Sequence, residues 1–485
     1  MKFYQALIYL FFSFSITQSQ NNKGGFLSQS QIDVEVKALR SNFTNPKYDS
    51  LIIGDTEKLT NPKNIIIFGG FHGSLAAAAE VLGLAKLYCE DITKKNFQGL
   101  YKNFNIEFVP IINSHFYGLV YENKTEDNTE LQYRGSTCGS SVEIDPDRNF
   151  EYEFKSICKE DVYTGNNNYD SEYAKSFYTK YIGKNKTIII INIQGFGSKK
   201  LIGYASKETK LSKADKYTYD NLIQAEYTSI GSDSTNRKTG QMVDTAMNKS
   251  VYAVIYNTKA RVTIDMKKLT SIYTTEYQDI FDGLNSALKT PLIDLRKAKE
   301  NHKASEDSPS EIPFKLCVTN FYPFTIQGKL LMDLKISQKS STLELEYKKT
   351  TATKMPKYST SKSDFDDYED LIDADEFDTK YGFYPIVFDK INFPAQTEVC
   401  FNIVFERSVS GSMAYSADIS LESLDGQFSD VSVVSEEQYV DTTNKSETKS
   451  KGGVILLMFL VFVLIIATIV CLLISKKNKY NRFFH

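Results

Sequence analysis

Between residues 65 and 295, short β-branched runs alternate with helical stretches, and this alternation limits the possible folds more sharply than any other feature of the chain. A run at 65–68 leads into an alanine-rich stretch at 76–88, the run at 187–193 follows a helical stretch at 171–181, and an amphipathic stretch at 276–288 closes the series. Strands and helices in this order build a sheet with helices packed on its faces, so the predicted class for residues 27–296 is α/β. A polar stretch at 297–311 reads as a linker. From 312 to 428 the pattern is short strands of alternating polarity, which predicts an antiparallel β-sandwich domain. An acidic insertion at 364–378 holds nine carboxylates but lacks the glycine and closing glutamate of a calcium loop, so it reads as a solvated segment.

The two ends place the chain in a membrane. Met1-Lys2, an apolar run at 3–16 and Thr17-Gln18-Ser19 match the charged, hydrophobic and small regions of a secretory signal peptide, expected over 1–19. Residues 454–474 carry no charge and are long enough to cross a hydrocarbon core of roughly 30 Å as a transmembrane helix. Lys476, Lys477, Lys479 and Arg482 follow at once, which puts the tail at 475–485 in the cytoplasm and the rest outside or in the lumen. The expected location is the cell surface or a secretory-pathway membrane, with 429–453 as a polar stalk. Sequons at Asn42, Asn123, Asn185, Asn248 and Asn444 fit a glycoprotein. Cys471 falls in the span, leaving Cys89, Cys138, Cys158, Cys317 and Cys400 in an oxidising compartment. The net charge of -3 offers nothing to nucleic acid.

Two motifs carry the chemistry: Gly69-Gly70-Phe71-His72-Gly73-Ser74-Leu75 and Ile144-Asp145-Pro146-Asp147-Arg148-Asn149-Phe150. Between and after them come Pro110-x-x-Asn113 with Tyr117, then Tyr133-Arg134, Cys138, Cys158 and Tyr163-x-Gly165. Further on stand Gln194 at the end of a β-branched run, Gly240 to Asp244, and Thr263-Ile264-Asp265-Met266. In this order and near this spacing the series resembles the zinc carboxypeptidase family, from residue 65 to about 288. The resemblance implies a mixed sheet with helices on both faces. It also implies a zinc site at a His-x-x-Glu turn, completed by a histidine at a strand end, with a glutamate general base and a carboxylate clamp for a peptide C-terminus. A disulfide joining Cys138 and Cys158 is implied in the same way, and Cys317 with Cys400 is expected as a second pair, leaving Cys89 free.

Carried onto this chain, the metal positions are His72, Leu75 and Gln194, and the general-base position is Asp265. The substrate positions are Arg134, Asp147, Arg148 and Val243, the last on the floor of a specificity pocket. Only His72 of the three ligands keeps its identity, and no histidine occurs between His115 and His302. A catalytic zinc needs three protein ligands and an open position, where it lowers the pKa of a bound water to about 7. Leucine cannot ligate, and a neutral amide is a poor zinc ligand. No cofactor is therefore expected. The function expected is a membrane-anchored, catalytically impaired carboxypeptidase-like ectodomain that binds a peptide C-terminus or another surface protein. Two alternatives stand beside it. One is an active zinc carboxypeptidase with ligands re-supplied by His115 or Asp265; the other is an adhesion glycoprotein with a vestigial pocket.

Overall fold

The computed structural model describes residues 23–42, 51–123, 143–159, 162–184, 186–194, 200–202, 211–224, 227–229, 240–257, 261, 263–296, 310–338, 345–356, 366–368, 383–407, 413–435 and 438–440. In the first lobe seven strands form one mixed sheet. They are β1 (Leu51–Ile53), β2 (Lys63–Gly69), β3 (Phe104–Val109), β4 (Thr187–Gln194), β5 (Lys200–Ile202), β6 (Tyr227–Ser229) and β7 (Tyr252–Asn257), in the order β1-β3-β2-β4-β7-β5-β6. The centre, β3-β2-β4-β7, is parallel, while β1 and β5 run antiparallel to β3 and β7.

Both faces of the central strands are covered, which is why 188–191 is an unbroken run of isoleucine rather than an alternation. From Ile189 onward, period two divides the run between two cores. Ile189, Ile191, Ile65, Ile67 and Val254 pack with helices α2 (Leu75–Thr93) and α6 (Thr274–Ala287). Ile190, Ile66, Phe68, Ala253 and Ile255 pack on the other face with Phe177 and with Met242, Val243 and Ala246 of α5 (Met242–Asn248). Helices α1 (Gln29–Asn42), α3 (Ser114–Asn123) and α4 (Lys213–Ile223) also belong to the lobe, with the shorter helices Gln98–Asn103, Glu172–Phe177 and Leu269–Ile272. Ser74 caps α2 by accepting the Ala77 N–H at 3.2 Å, which fixes where the preceding turn ends and the helix begins.

The second lobe is a pair of antiparallel sheets. One runs β8-β9-β14-β11-β12, from β8 (Leu292–Arg296), β9 (Ser310–Asn320), β11 (Leu345–Pro356), β12 (Asp366–Tyr368) and β14 (Thr397–Arg407). The other runs β13-β10-β15-β16, from β10 (Ile326–Gln338), β13 (Phe383–Phe393), β15 (Met413–Ser423) and β16 (Val431–Val434), with β17 (Gln438–Val440) also on β15. Phe388 and Phe401 stack at 4.7 Å between the two sheets. Phe104 against Tyr322 at 5.4 Å, and the Ser429 N–H donating to Asn103 Oδ1 at 2.7 Å, tie this lobe to the first.

Four boundaries differ from the sequence reading, the first being that Ser310 and Glu311, expected in the linker, open β9 and pair with Arg407 and Glu406. Residues 292–296, expected in the α/β domain, form β8 and pair with β9 from Leu292–Thr319 to Arg296–Lys315. There Ile293 and Leu295 turn inward, and Arg296 forks onto Glu398 at 2.5 and 3.1 Å. Residues 431–434 and 438–440, expected in the stalk, add strands to the second sheet. Asp366–Tyr368, inside the expected solvated insertion, pairs with β11. Among the described residues no helix is long and apolar enough to cross a membrane; the expected signal peptide, span and tail lie outside them.

Cys317 and Cys400, directly opposed on β9 and β14, are joined in a disulfide. Cys158 is disulfide-bonded, and Cys138, its expected partner, lies outside the described residues. Cys89 is free and buried in α2; burial, helped by the neighbouring Glu90 charge, pushes its thiol up to about 12. At pH 8 its thiolate fraction is then on the order of 1 in 10,000. Alkylation of the native protein at pH 8 should leave Cys89 unlabelled over hours and label it within minutes in denaturant, as read by peptide mass spectrometry.

Candidate active site

The parallel strands end together, and the loops beyond their C-terminal ends gather the motif residues, as open α/β sheets direct. After β2 the chain turns through Gly70 to Ser74. Gly70 N–H donates to Ile193 O at 2.9 Å, and Asn113 Nδ2 donates to Phe71 O at 3.0 Å, so the turn is bolted to the end of β4 and to the loop after β3. Gly73 has φ +70°, and a Cβ there would lie 2.4 Å from the Phe116 carbonyl carbon; only glycine fits the approach. His72, 4 % exposed, faces Asp145, and its Nε2 lies 2.9 Å from Asp145 Oδ1.

Asp145 begins a single 3-10 turn, Pro146–Arg148, and its Oδ1 also accepts the Asp147 N–H at 3.1 Å. Asn149 is a latch: its Nδ2 donates to Thr164 O at 2.6 Å and Asn167 O at 2.8 Å, and its Oδ1 accepts Ser171 N–H at 2.8 Å. Asp147 is buried, and Gln194 Nε2 approaches its Oδ2 at 3.5 Å, the outer limit of a hydrogen bond. His72, Asp145, Asp147 and Gln194 are therefore brought together at one end of the sheet. Asp145→Ala strips His72 of its partner and the turn of its cap, for an expected loss of about 2 to 3 kcal/mol. Asp145→Asn keeps an acceptor and should lose about half as much, both read by denaturant unfolding.

The remaining expected positions have other surroundings. Leu75 is fully buried in the first core, in a cluster with Leu27, Ile32, Ala79, Leu82 and Tyr117. Val243 is fully buried among Phe68, Ile190 and Ile255. Arg134 lies outside the described residues. Asp265 does not stand at a strand end beside Gln194. It lies beyond β7, half exposed, capping the turn Met266–Lys268 through the Lys267 N–H at 3.0 Å and facing Lys268 at 3.8 Å. The residue opposite Gln194 in the parallel register is Asn257, the last of β7. The T-x-D pattern misled because it imitates a strand end, whereas 263–265 lies outside the sheet, with the Ile264 N–H donating to Gly24 O at 2.8 Å.

Two residues of the site were missed from sequence. One is Asn257. The other is Asn192, two residues before Gln194 on the same face of β4, fully buried, with no partner for either amide atom among the described residues. A lone polar residue in the isoleucine run was the available signal for it. The donor set does not fit a zinc ion. One ligand position is core leucine, another is an amide directed at a carboxylate, and among the described residues His72 joins no group of three His, Cys, Asp or Glu ligand atoms within 4.8 Å of one another. The cluster that does meet this spacing, Cys317, Glu398 and Cys400, has its sulfurs tied up in the disulfide.

A family model described as zinc carboxypeptidase matches residues 30–282, just over half of the chain. The chain belongs to the zinc carboxypeptidase family. Similar solved structures include the carboxypeptidase A of Helicoverpa armigera, 13 % identical over 59 % of this chain and 79 % of that one, at a TM-score of 0.42. Bovine thrombin-activatable fibrinolysis inhibitor, in complex with tick carboxypeptidase inhibitor, is 13 % identical over 54 % and 97 % at 0.39. A metallo-carboxypeptidase from Burkholderia cenocepacia is 10 % identical over 53 % and 68 % at 0.34. No curated protein matches the chain.

Proposed function

We propose that this family member is catalytically impaired, is held in a membrane by a C-terminal span with both lobes outside or lumenal, and uses the family scaffold for binding. The observation that carries the reading is the pair of strand ends β4 and β7. They present Gln194 and Asn257, two neutral amides, where hydrolysis by this family's route would need a metal ligand and a base. An amide neither holds zinc against water nor takes a proton at neutral pH. Asp147 favours another surface protein over a free peptide C-terminus as the partner, because a carboxylate, buried here beside Gln194, accepts hydrogen bonds and offers no donor to an incoming carboxylate.

Metal analysis of the purified protein tests this. After zinc loading and chelator-free dialysis it should carry well under one zinc per chain, and it should not trim peptides from their C-termini. Stoichiometric zinc together with trimming would replace the proposal with an active carboxypeptidase.

A further inference from the structure

Away from the strand ends, a cleft of about 530 Å³ opens between the lobes, walled by α4, by the end of α5 and by Pro323 of the second lobe. That volume lies in the range of ligand-sized sites, roughly 300 to 1,000 Å³. Asn248 and Ser250, first and third residues of the sequon Asn248-Lys249-Ser250, both line it, and both are exposed. Asn248 is the last residue of α5, so its side chain leaves the helix at the rim of the cleft.

Another part of the lining suits carbohydrate. Tyr252 presents a partly exposed ring whose hydroxyl donates to Asp215 Oδ1 at 2.8 Å, and Ser212 Oγ donates to Asp215 Oδ2 at 2.7 Å. A carboxylate offers about four lone-pair sites, so Asp215 keeps acceptor capacity for sugar hydroxyls after those two bonds. An aromatic face beside a carboxylate gives a pyranose an apolar surface for its C–H groups and an acceptor for its hydroxyls.

We infer that Asn248 carries an N-linked glycan whose first sugars lie in this cleft and bridge α4 to Pro323, bracing one lobe against the other. The inference rests on the outward placement proposed above. In the transfer, Asn248 Nδ2 attacks the anomeric carbon of an oligosaccharide carried on a polyprenyl diphosphate. The N–C bond forms, the C–O bond to the diphosphate breaks with its electron pair leaving on the diphosphate, and the amide proton passes to a base.

The test uses the full chain made in a eukaryotic secretory host, with glycopeptide mass spectrometry and hydrogen exchange. Asn248→Gln removes the acceptor. Ser250→Asn breaks the sequon separately and suits the backbone, since Ser250 has φ +59°, a region asparagine tolerates. Wild type should carry the glycan at Asn248. Both variants should lose it, with exchange in 211–219 rising several-fold; Asn123→Gln, on the exposed end of α3, should leave that segment unchanged. Glycans at other sequons but none at Asn248 would overturn the inference and leave the outward placement standing. A glycan at Asn248 whose loss does not alter exchange in 211–219 would overturn its seat in the cleft. A chain with no glycan anywhere would overturn the outward placement and the inference with it.

Discussion

Zinc should leave the melting temperature of the wild-type protein unchanged, while the double variant Leu75→Glu with Gln194→His should melt several degrees below wild type without metal and recover in its presence. Leu75 is fully buried in the first core, so a carboxylate there has no partner until a cation arrives. Burying it should cost about 4 kcal/mol or more, which in a chain of this size lowers the melting temperature by roughly 4 to 7 °C. Gln194→His supplies a second imidazole at the strand end that faces the His72 loop. Zinc at a thousand times its dissociation constant contributes about 4 kcal/mol, enough to offset the loss. Leu75→Met, similar in volume and without charge, should melt near wild type with or without zinc. Trimming activity should need Asn257→Glu in addition, and Asp265→Glu should not substitute for it, because Asn257 is the residue in register with Gln194. A zinc-induced rise of several degrees in the wild type would sink the impaired-site reading. A double variant that folds yet ignores zinc would show that residues 75 and 194 do not converge on His72.

Gly283→Ala should be among the most destabilising single-methyl changes in the first lobe. Gly283 lies in α6 where that helix crosses α4, and a Cβ there would stand 1.9 Å from the Leu222 carbonyl oxygen and 2.9 Å from its carbon. Both are backbone atoms, so no rotamer relieves the clash and the helices must part. Separation opens the core around Leu284 and Leu222, both fully buried, for an expected loss of about 3 kcal/mol or more. Gly118→Ala is the internal control. It lies within α3 with nothing inside 4 Å of its Cβ, so the same methyl group should stabilise by about 0.5 to 1 kcal/mol. Urea midpoints that move together would show that the α4–α6 contact is not close-packed.

Much of the first lobe was legible because its signals are local. The isoleucine run over 188–191, the alanines of α2 and the glycine-bounded turn at His72 each specify their own conformation within a few residues. That the motifs holding His72 and Asp145 belong to one site was equally legible, since the family resemblance brings the two motifs together even when it says nothing of the path between them. Edges fared less well. Residues 292–296 and 431–434 are short half-buried strands, and which sheet accepts such a strand depends on a vacant edge built by residues far away in the chain.

By itself, the sequence determined the family, the α/β class of the first lobe, the identities of Leu75 and Gln194 at the positions the resemblance assigns to metal ligands, and the motifs that meet at His72. Those follow from residue identity and from periodicities of two and 3.6, which any window of the chain displays. Only the tertiary structure decided that Asn257 rather than Asp265 stands across from Gln194, that Leu75 is core, and that Asn248 opens onto an interlobe cleft. Parallel register is set by a long crossover packing against the sheet, so eight residues of difference between two candidate strand ends leave no trace in the local pattern. A cleft between lobes is likewise a property of two surfaces brought together, written in neither one alone.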